Sequence, residues 1–295
     1  MRKVVLLITL FSTLIGSSCS EAQSDDKSGK GKKKKGKADS EAATDELVPG
    51  LQKVGQMDGG VSESSGLAHA GTAGTFYTHA DAGNEPIIYK VDMTGRLLER
   101  SKLPFTNVDW ESLAQDDKGT LFIVDAGNNN NSRRDLAVYR LNPGTSETTK
   151  ISFAYSDQKA FPPAKTARNF DCEASLWHAG KLYLFTKDRA QHSTSKVYTL
   201  SDQPGQQTAR LLTSLRIPGE VTDANLSPNG KRLALLGREE LFILDGDDLA
   251  SALKATPKQY SLKGAGQTEG MVFQSDSTLM ISTEEGFMYQ YTIPQ

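Results

Sequence analysis

The sequence predicts an all-β fold of the propeller type, and three observations carry that prediction. One short opening motif recurs five times between residues 48 and 295. Each copy is followed by short apolar strands parted by polar, Gly-rich turns, the punctuation of antiparallel sheets. Helical periodicity is confined to one short stretch, Asp247 to Lys254, which Asp247 would cap.

The copies open Glu63-Ser64-Ser65-Gly66-Leu67, Asp109-Trp110-Glu111-Ser112-Leu113, Asp171-Cys172-Glu173-Ala174-Ser175, Val221-Thr222-Asp223-Ala224-Asn225 and Gln267-Thr268-Glu269-Gly270-Met271. Aligning Ser65, Glu111, Glu173, Asp223 and Glu269 gives spacings of 46, 62, 50 and 46 residues. A repeat of that length with several short strands has the size of one propeller blade. A two-sheet sandwich would not explain five recurrences of one opening.

Strands are predicted after each opening at Thr75–Thr78, Leu121–Val124, Leu182–Phe185, Leu233–Leu236 and Leu279–Ser282. Asn229-Gly230 marks a tight hairpin, because both residues accept positive φ. The fifth unit ends early, so residues 51–57 are expected to supply its outer strand and close the ring, which removes free sheet edges. Five blades are the direct count. Six are the alternative, because the 62-residue interval contains Phe161-Pro162-Pro163-Ala164-Lys165-Thr166-Ala167-Arg168-Asn169. That Pro-rich stretch is poor strand material and is read as an insertion loop.

The segments before the repeat give an address. Met1-Arg2-Lys3 precedes an apolar run from Val4 to Ile15, then Gly16-Ser17-Ser18-Cys19. Basic, apolar and small residues in that order describe a secretory signal, too short to span a bilayer comfortably. Cysteine after small residues resembles the bacterial lipobox, with Gly16 as a departure from its usual residue. Cys19 is thus the expected lipidation site, residues 1–19 the signal, and the cell envelope, outside the cytoplasm, the expected location. Residues 20–47 carry seven Lys and seven acidic residues with almost no large apolar side chains, and are expected to be a disordered tether. Gly31 to Ala38 nearly spells a phosphate-binding loop but lacks its final Ser/Thr and a preceding strand. The folded domain is then residues 48–295.

Composition excludes other classes. The 34 basic and 36 acidic residues of the 295-residue chain nearly cancel, so no nucleic-acid partner is expected. Two cysteines cannot build a disulfide-rich scaffold. There is no G-x-S-x-G elbow, no H-E-x-x-H helix and no Cys/His zinc spacing.

The stretch from Glu63 through Asn128, with Thr78-His79-Ala80-Asp81-Ala82-Gly83-Asn84, Asp109-Trp110-Glu111 and Asp125-Ala126-Gly127-Asn128-Asn129, resembles a group of largely uncharacterised bacterial secreted propellers. Those in turn resemble, more distantly, the phytase-like propellers labelled "esterase-like activity of phytase". The resemblance implies a propeller over nearly the whole domain, and an activity only loosely, because propellers host hydrolases, lyases, lectins and scaffolds alike. Phytase-like and gluconolactonase-like propellers hold a channel calcium, and the resemblance implies Ca²⁺ as a cofactor.

In a propeller the first strand of each blade runs along the central channel, so the five openings should converge there. Glu111, Glu173, Asp223 and Glu269 would then form a carboxylate ring. Such carboxylates raise one another's pKa unless a cation sits among them, and a hard divalent ion taking about six to eight oxygens would suit them. The structural alternative is that each carboxylate caps backbone N–H groups of the neighbouring blade. A second recurrent position, after the next strand, carries His79, Asp81, Asp125, Lys187, Arg238 and Glu284. These residues would rim a funnel for a small anionic ligand or a protein partner, with ordinary solvated loop charges as the alternative. Asn128 to Asn131, with Arg133 and Arg134, are expected in an exposed loop, and Trp110 between blades. Two functions remain open: a lipid-anchored propeller that binds through its funnel, and a divalent-metal-dependent hydrolase of phosphate or other esters.

Overall fold

The computed structural model describes residues 47–61, 63–218 and 220–294. The signal, Cys19 and nearly all of the tether lie outside these residues.

The chain folds into twenty strands, and their pairing groups them as five antiparallel meanders of four. The first holds β2 (Ser64–His69), β3 (Thr75–Ala80), β4 (Ile87–Asp92) and β5 (Leu97–Lys102). Its partner in sequence holds β6 (Trp110–Gln115), β7 (Leu121–Asp125), β8 (Ala137–Asn142) and β9 (Glu147–Tyr155). The third runs β10 (Asp171–His178), β11 (Lys181–Lys187), β12 (Thr194–Ser201) and β13 (Gly205–Arg216). In the fourth are β14 (Val221–Leu226), β15 (Arg232–Gly237), β16 (Glu240–Asp245) and β17 (Lys258–Ser261). The last is completed from the far end of the domain: β18 (Thr268–Ser275), β19 (Thr278–Thr283) and β20 (Phe287–Thr292) are joined by β1 (Leu51–Gln56). Leu51 pairs with Tyr291 and Gln56 with Phe287, so the expected N-terminal strand closes the last meander.

The first strands pack in a closed cycle: β2 on β6, β6 on β10, β10 on β14, β14 on β18, and β18 back on β2. This closure makes the fold a β-propeller. The apolar core is correspondingly divided into five clusters, each built from two adjacent meanders. Phe122, Val124 and Ala126 meet Leu182, Leu184 and Tyr198, for example, between the second and third. Strand alternation explains the pattern, because side chains on each face of a meander serve a different neighbour.

Two features depart from a plain ring. β9 and β13 pair in parallel, Ile151 with Gly205 through Tyr155 with Ala209, which fuses the second and third meanders into one eight-stranded sheet. The Pro-rich stretch after β9 forms no strand, only a single 3-10 turn at Lys165–Ala167. The helix α1 (Leu249–Ala252) is shorter than expected and begins one residue later. Asp248, not Asp247, is its N-cap, accepting from the Ser251 N–H in a reciprocal capping box. Among the described residues no helix is long and apolar enough to cross a membrane.

Candidate functional site: a polar cavity on the propeller axis

Four of the five inner strands are broken by a one-residue bulge at the same place, and β2 skips two residues one place further on. Pairing skips from Trp110 to Ser112, Cys172 to Ala174, Val221 to Asp223, Thr268 to Gly270, and Ser65 to Ala68. A bulge puts two residues opposite one and re-aims a side chain that alternation would send into the sheet interface. In three strands the skipped residue is a carboxylate: Glu111, Glu173 and Glu269. All three line a cavity of about 300 Å³ with Ser64, Ser65, Asp81, Lys187, Arg189, Arg238 and Glu284. Glu63, Asn129 and Gln267 complete its wall.

The ring predicted from sequence is therefore corrected at Asp223. The bulged residue of β14 is Thr222, and Asp223 lies one place further down the strand. Asp223 is buried away from the cavity, where it accepts from the N–H groups of Met271 (2.7 Å) and Ala224 (2.9 Å) and from Ser112 Oγ (3.2 Å). The structural alternative describes this residue: it caps the backbone of a neighbouring inner strand. Hydroxyls cap neighbouring backbone in the two strands whose aligned position carries no acid. Ser65 Oγ donates to the Glu111 carbonyl, and Thr222 Oγ1 donates to the Thr268 carbonyl at 2.8 Å.

The funnel prediction is corrected at two further positions. His79 is fully buried, its Nδ1 3.1 Å from the Ala80 carbonyl oxygen and its ring edge-to-face on Trp110 at 5.5 Å. Burial pushes its pKa down to about 4, so it is neutral at physiological pH. Asp125 pairs with Trp110 across the sheet and is held from behind by Arg133 Nη2 at 2.9 Å. Neither lines the cavity. Asp81, Lys187, Arg238 and Glu284 do. Trp110 is fully buried and touches His79 and Phe105, as an inter-blade residue should.

Three groups were missed by sequence reasoning. Arg189 binds Asp171 and, through Nη2 at 2.8 Å, Glu173. Glu220, two residues before the bulge, receives Lys187 Nζ at 3.3 Å. Arg133 reaches Asp125, Asp135 at 3.1 Å and the Gly127 carbonyl at 2.8 Å. The loop that delivers Arg133 is not exposed throughout as expected, since Asn128 and Asn131 are 2% and 0% exposed. Asn128 Oδ1 accepts from the N–H groups of Ser132 and Arg133, and Asn131 Oδ1 from that of Phe170. The buried amides thus fold the loop so that its arginine points back at the sheet. A signal for Glu220 was present: the residue two places before Ser65, Glu111, Glu173, Thr222 and Glu269 runs Glu63, Asp109, Asp171, Glu220, Gln267, all acids or an amide.

Charge is distributed unevenly around the cavity. Lys187 and Arg189 are consumed by Glu173, Asp171 and Glu220. Burial raises Glu220, but Lys187 and Arg189 outweigh it and hold its carboxyl below the usual range. Glu111 lies on the other side of the balance. Burial first, then the nearby Glu173, Asp81, Asp171 and Asp109 charges, push its carboxyl well above the ordinary value. Burial likewise pushes Glu269 up to about 7 and Asp109 up to about 6, the latter against the pull of Arg133. Arg238 stands apart from the other cavity cations. Among the described residues its guanidinium has no carboxylate within ion-pair distance, and it donates only to the Gln267 side-chain oxygen. Its turn is braced, because Thr268 Oγ1 donates to the Gly237 carbonyl and accepts from the Glu239 N–H, while Glu239 accepts from Gly264 and Gly266.

Comparisons with known proteins add neighbours but no family. No family model matches the chain, and no curated protein matches it. Among solved structures, Myxococcus xanthus glutaminyl cyclase matches at 9% identity with a TM-score of 0.48, covering 83% of this chain and 97% of that one. Streptomyces coelicolor aldose sugar dehydrogenase in its PQQ-bound form matches at 10% identity and 0.47, covering 82% and 97%. A virginiamycin B lyase from Staphylococcus aureus matches at 14% identity and 0.40, covering 79% and 67%. The resemblance to phytase-like propellers rests on the motifs quoted above and on nothing in these comparisons.

Proposed function

We propose that this protein is a ligand-binding propeller whose axial cavity receives a small polar ligand bearing an oxyanion. Arg238 carries the proposal: it is a cavity-lining cation without a carboxylate partner among the described residues, set on a braced turn. The Arg238 side chain is exposed, and its guanidinium offers paired donors to a carboxylate or phosphate. The cavity of about 300 Å³ suits a compact ligand of a few heavy-atom groups rather than a polymer. The test is thermal denaturation with malonate and with inorganic phosphate. A ligand at about 100 times its Kd adds about 2.7 kcal/mol, and Arg238→Gln should remove that gain. An unchanged melting temperature with both anions, or an equal gain in the variant, contradicts the proposal.

An ester hydrolase is the second reading, favoured by Glu269. Its carboxyl lines the cavity, makes no hydrogen bond among the described residues and is pushed up to about 7 by burial, the range of a general acid or base. Turnover of nitrophenyl phosphate or acetate that follows that ionisation and is lost in Glu269→Gln supports it. Absence of turnover leaves the binder. We further propose that lipidation at Cys19 tethers the domain to the cell-envelope membrane outside the cytoplasm. Cys19→Ala should then move the protein from the membrane to the soluble fraction.

A further inference from the structure

We propose that Asp81, Asp109 and Glu111 form a hard-cation site for Ca²⁺ on the wall of the axial cavity, where the first and second meanders meet. One carboxylate oxygen from each lies within 4.8 Å of the other two. That is the span one ion bridges with oxygen bonds of about 2.3–2.6 Å. The site differs from the ring expected along the channel: it takes only Glu111 from that ring and recruits Asp81 and Asp109 instead.

Two observations beyond the clustering point to a ligand. Glu111 is 8% exposed, yet its carboxylate accepts no hydrogen bond and meets no cation among the described residues. A buried, unpartnered carboxylate costs several kcal/mol unless a cation satisfies it or it takes up a proton. The second is Gly127. A Cβ there would stand 2.3 Å from Glu111 Oε1 and 2.5 Å from Asp109 Cγ. Gly127 is not among the residues with left-handed backbone, so its lack of a side chain serves space and not conformation. The glycine lets two like-charged groups converge.

The frame around the cluster is built to hold it. Asn107 Nδ2 donates to the Ala80 and Asp81 carbonyls at 3.0 and 2.8 Å, while its Oδ1 accepts from the Trp110 N–H at 3.1 Å. One buried amide thus fastens the turn bearing Asp81 to the strand start bearing Asp109 and Glu111. Arg133 supports from behind. It is 4.0 Å from Asp109 and bonds Asp125 at 2.9 Å.

The inference does not depend on the oxyanion reading, because the cation is measured on the protein alone. Trp110 lies between two of the ligands in sequence and provides a probe. Tb³⁺, a Ca²⁺ surrogate, should show emission sensitised by tryptophan in the full chain, and Ca²⁺ should quench it by competition. Asp81→Asn and Glu111→Gln should each weaken Ca²⁺ by about tenfold or more. Both variants should melt no lower than the wild type in chelator, because burial and the neighbouring carboxylates already disfavour the charged form that each amide replaces, which separates loss of binding from loss of fold. Glu269→Gln should leave Ca²⁺ affinity unchanged. No Ca²⁺-competed emission, or affinity lost equally in Glu269→Gln, overturns this site.

Discussion

Replacing Gly127 with alanine tests whether the convergence of carboxylates is built into the backbone. The added Cβ would meet Glu111 Oε1 at 2.3 Å and Asp109 Cγ at 2.5 Å, both well inside van der Waals contact. The Glu111 oxygen ends a flexible side chain and can swing, and Asp109 Cγ moves by rotation about its own Cα–Cβ bond, so both must leave their rotamers while the backbone stays. That backbone is tied, since the Gly127 N–H donates to the Asp109 carbonyl at 3.1 Å. Overpacking of this kind costs about 1–3 kcal/mol. Part of that cost is offset when the carboxylates separate, so about 1–2 kcal/mol of net destabilisation is expected in chelator. Urea unfolding of wild type and Gly127→Ala measures it directly, and Ca²⁺ should stabilise the variant less than the wild type. A variant as stable as wild type, with an undiminished Ca²⁺ response, refutes the packing argument.

Other outcomes follow from the same geometry. Asn107→Ala removes a buried acceptor of the Trp110 N–H and two donated bonds, and should cost about 1–3 kcal/mol in urea titration while weakening Ca²⁺. Phe122→Ala, at a fully buried position between the second and third meanders, should lose about 3–5 kcal/mol by the same assay and leave Ca²⁺ affinity nearly unchanged. Glu269 and Asp109 have folded pKa values raised to about 7 and about 6, so the folded state holds protons that the unfolded chain releases. Their contribution to stability in chelator should therefore be full below the unfolded carboxylate values and fall as pH rises toward 7. Glu269→Gln should flatten that decline, and a decline of unchanged slope counts against the assignment.

The fold was legible because its signal repeats. The opening motif marks the inner strand of every meander, and residues 51–57 carried the apolar pattern that places Leu51 against Tyr291. The site was legible only in part, and the reasons are local. Aligning the openings by acidity selected Asp223, whereas the bulge selects Thr222. A one-residue slip in a strand sends a side chain to the other face, and here it separates a cavity position from a buried cap. His79 and Asp125 were grouped with Asp81 because all follow the second strand. Pairing with Ser65 and Trp110 turns the first two inward, while Asp81 has already left the strand. Arg133 and Arg189 come from loops whose course is set by side-chain bonds of Asn128, Asn131 and Asp188, and no periodicity announces such bonds. Lys187 and Arg189 also change the reading of Glu173, which is an ion-pair partner more than a free ligand.

The central claim is that the axial cavity binds, with cation and oxyanion on different walls. Crystals of the folded domain grown with Ca²⁺ and malonate test it most directly through the anomalous signal of the ion and the position of the anion. The account predicts calcium among Asp81, Asp109 and Glu111, and malonate on Arg238. Calcium centred on the axis between Glu173 and Glu269, or a cavity holding water alone, would contradict it.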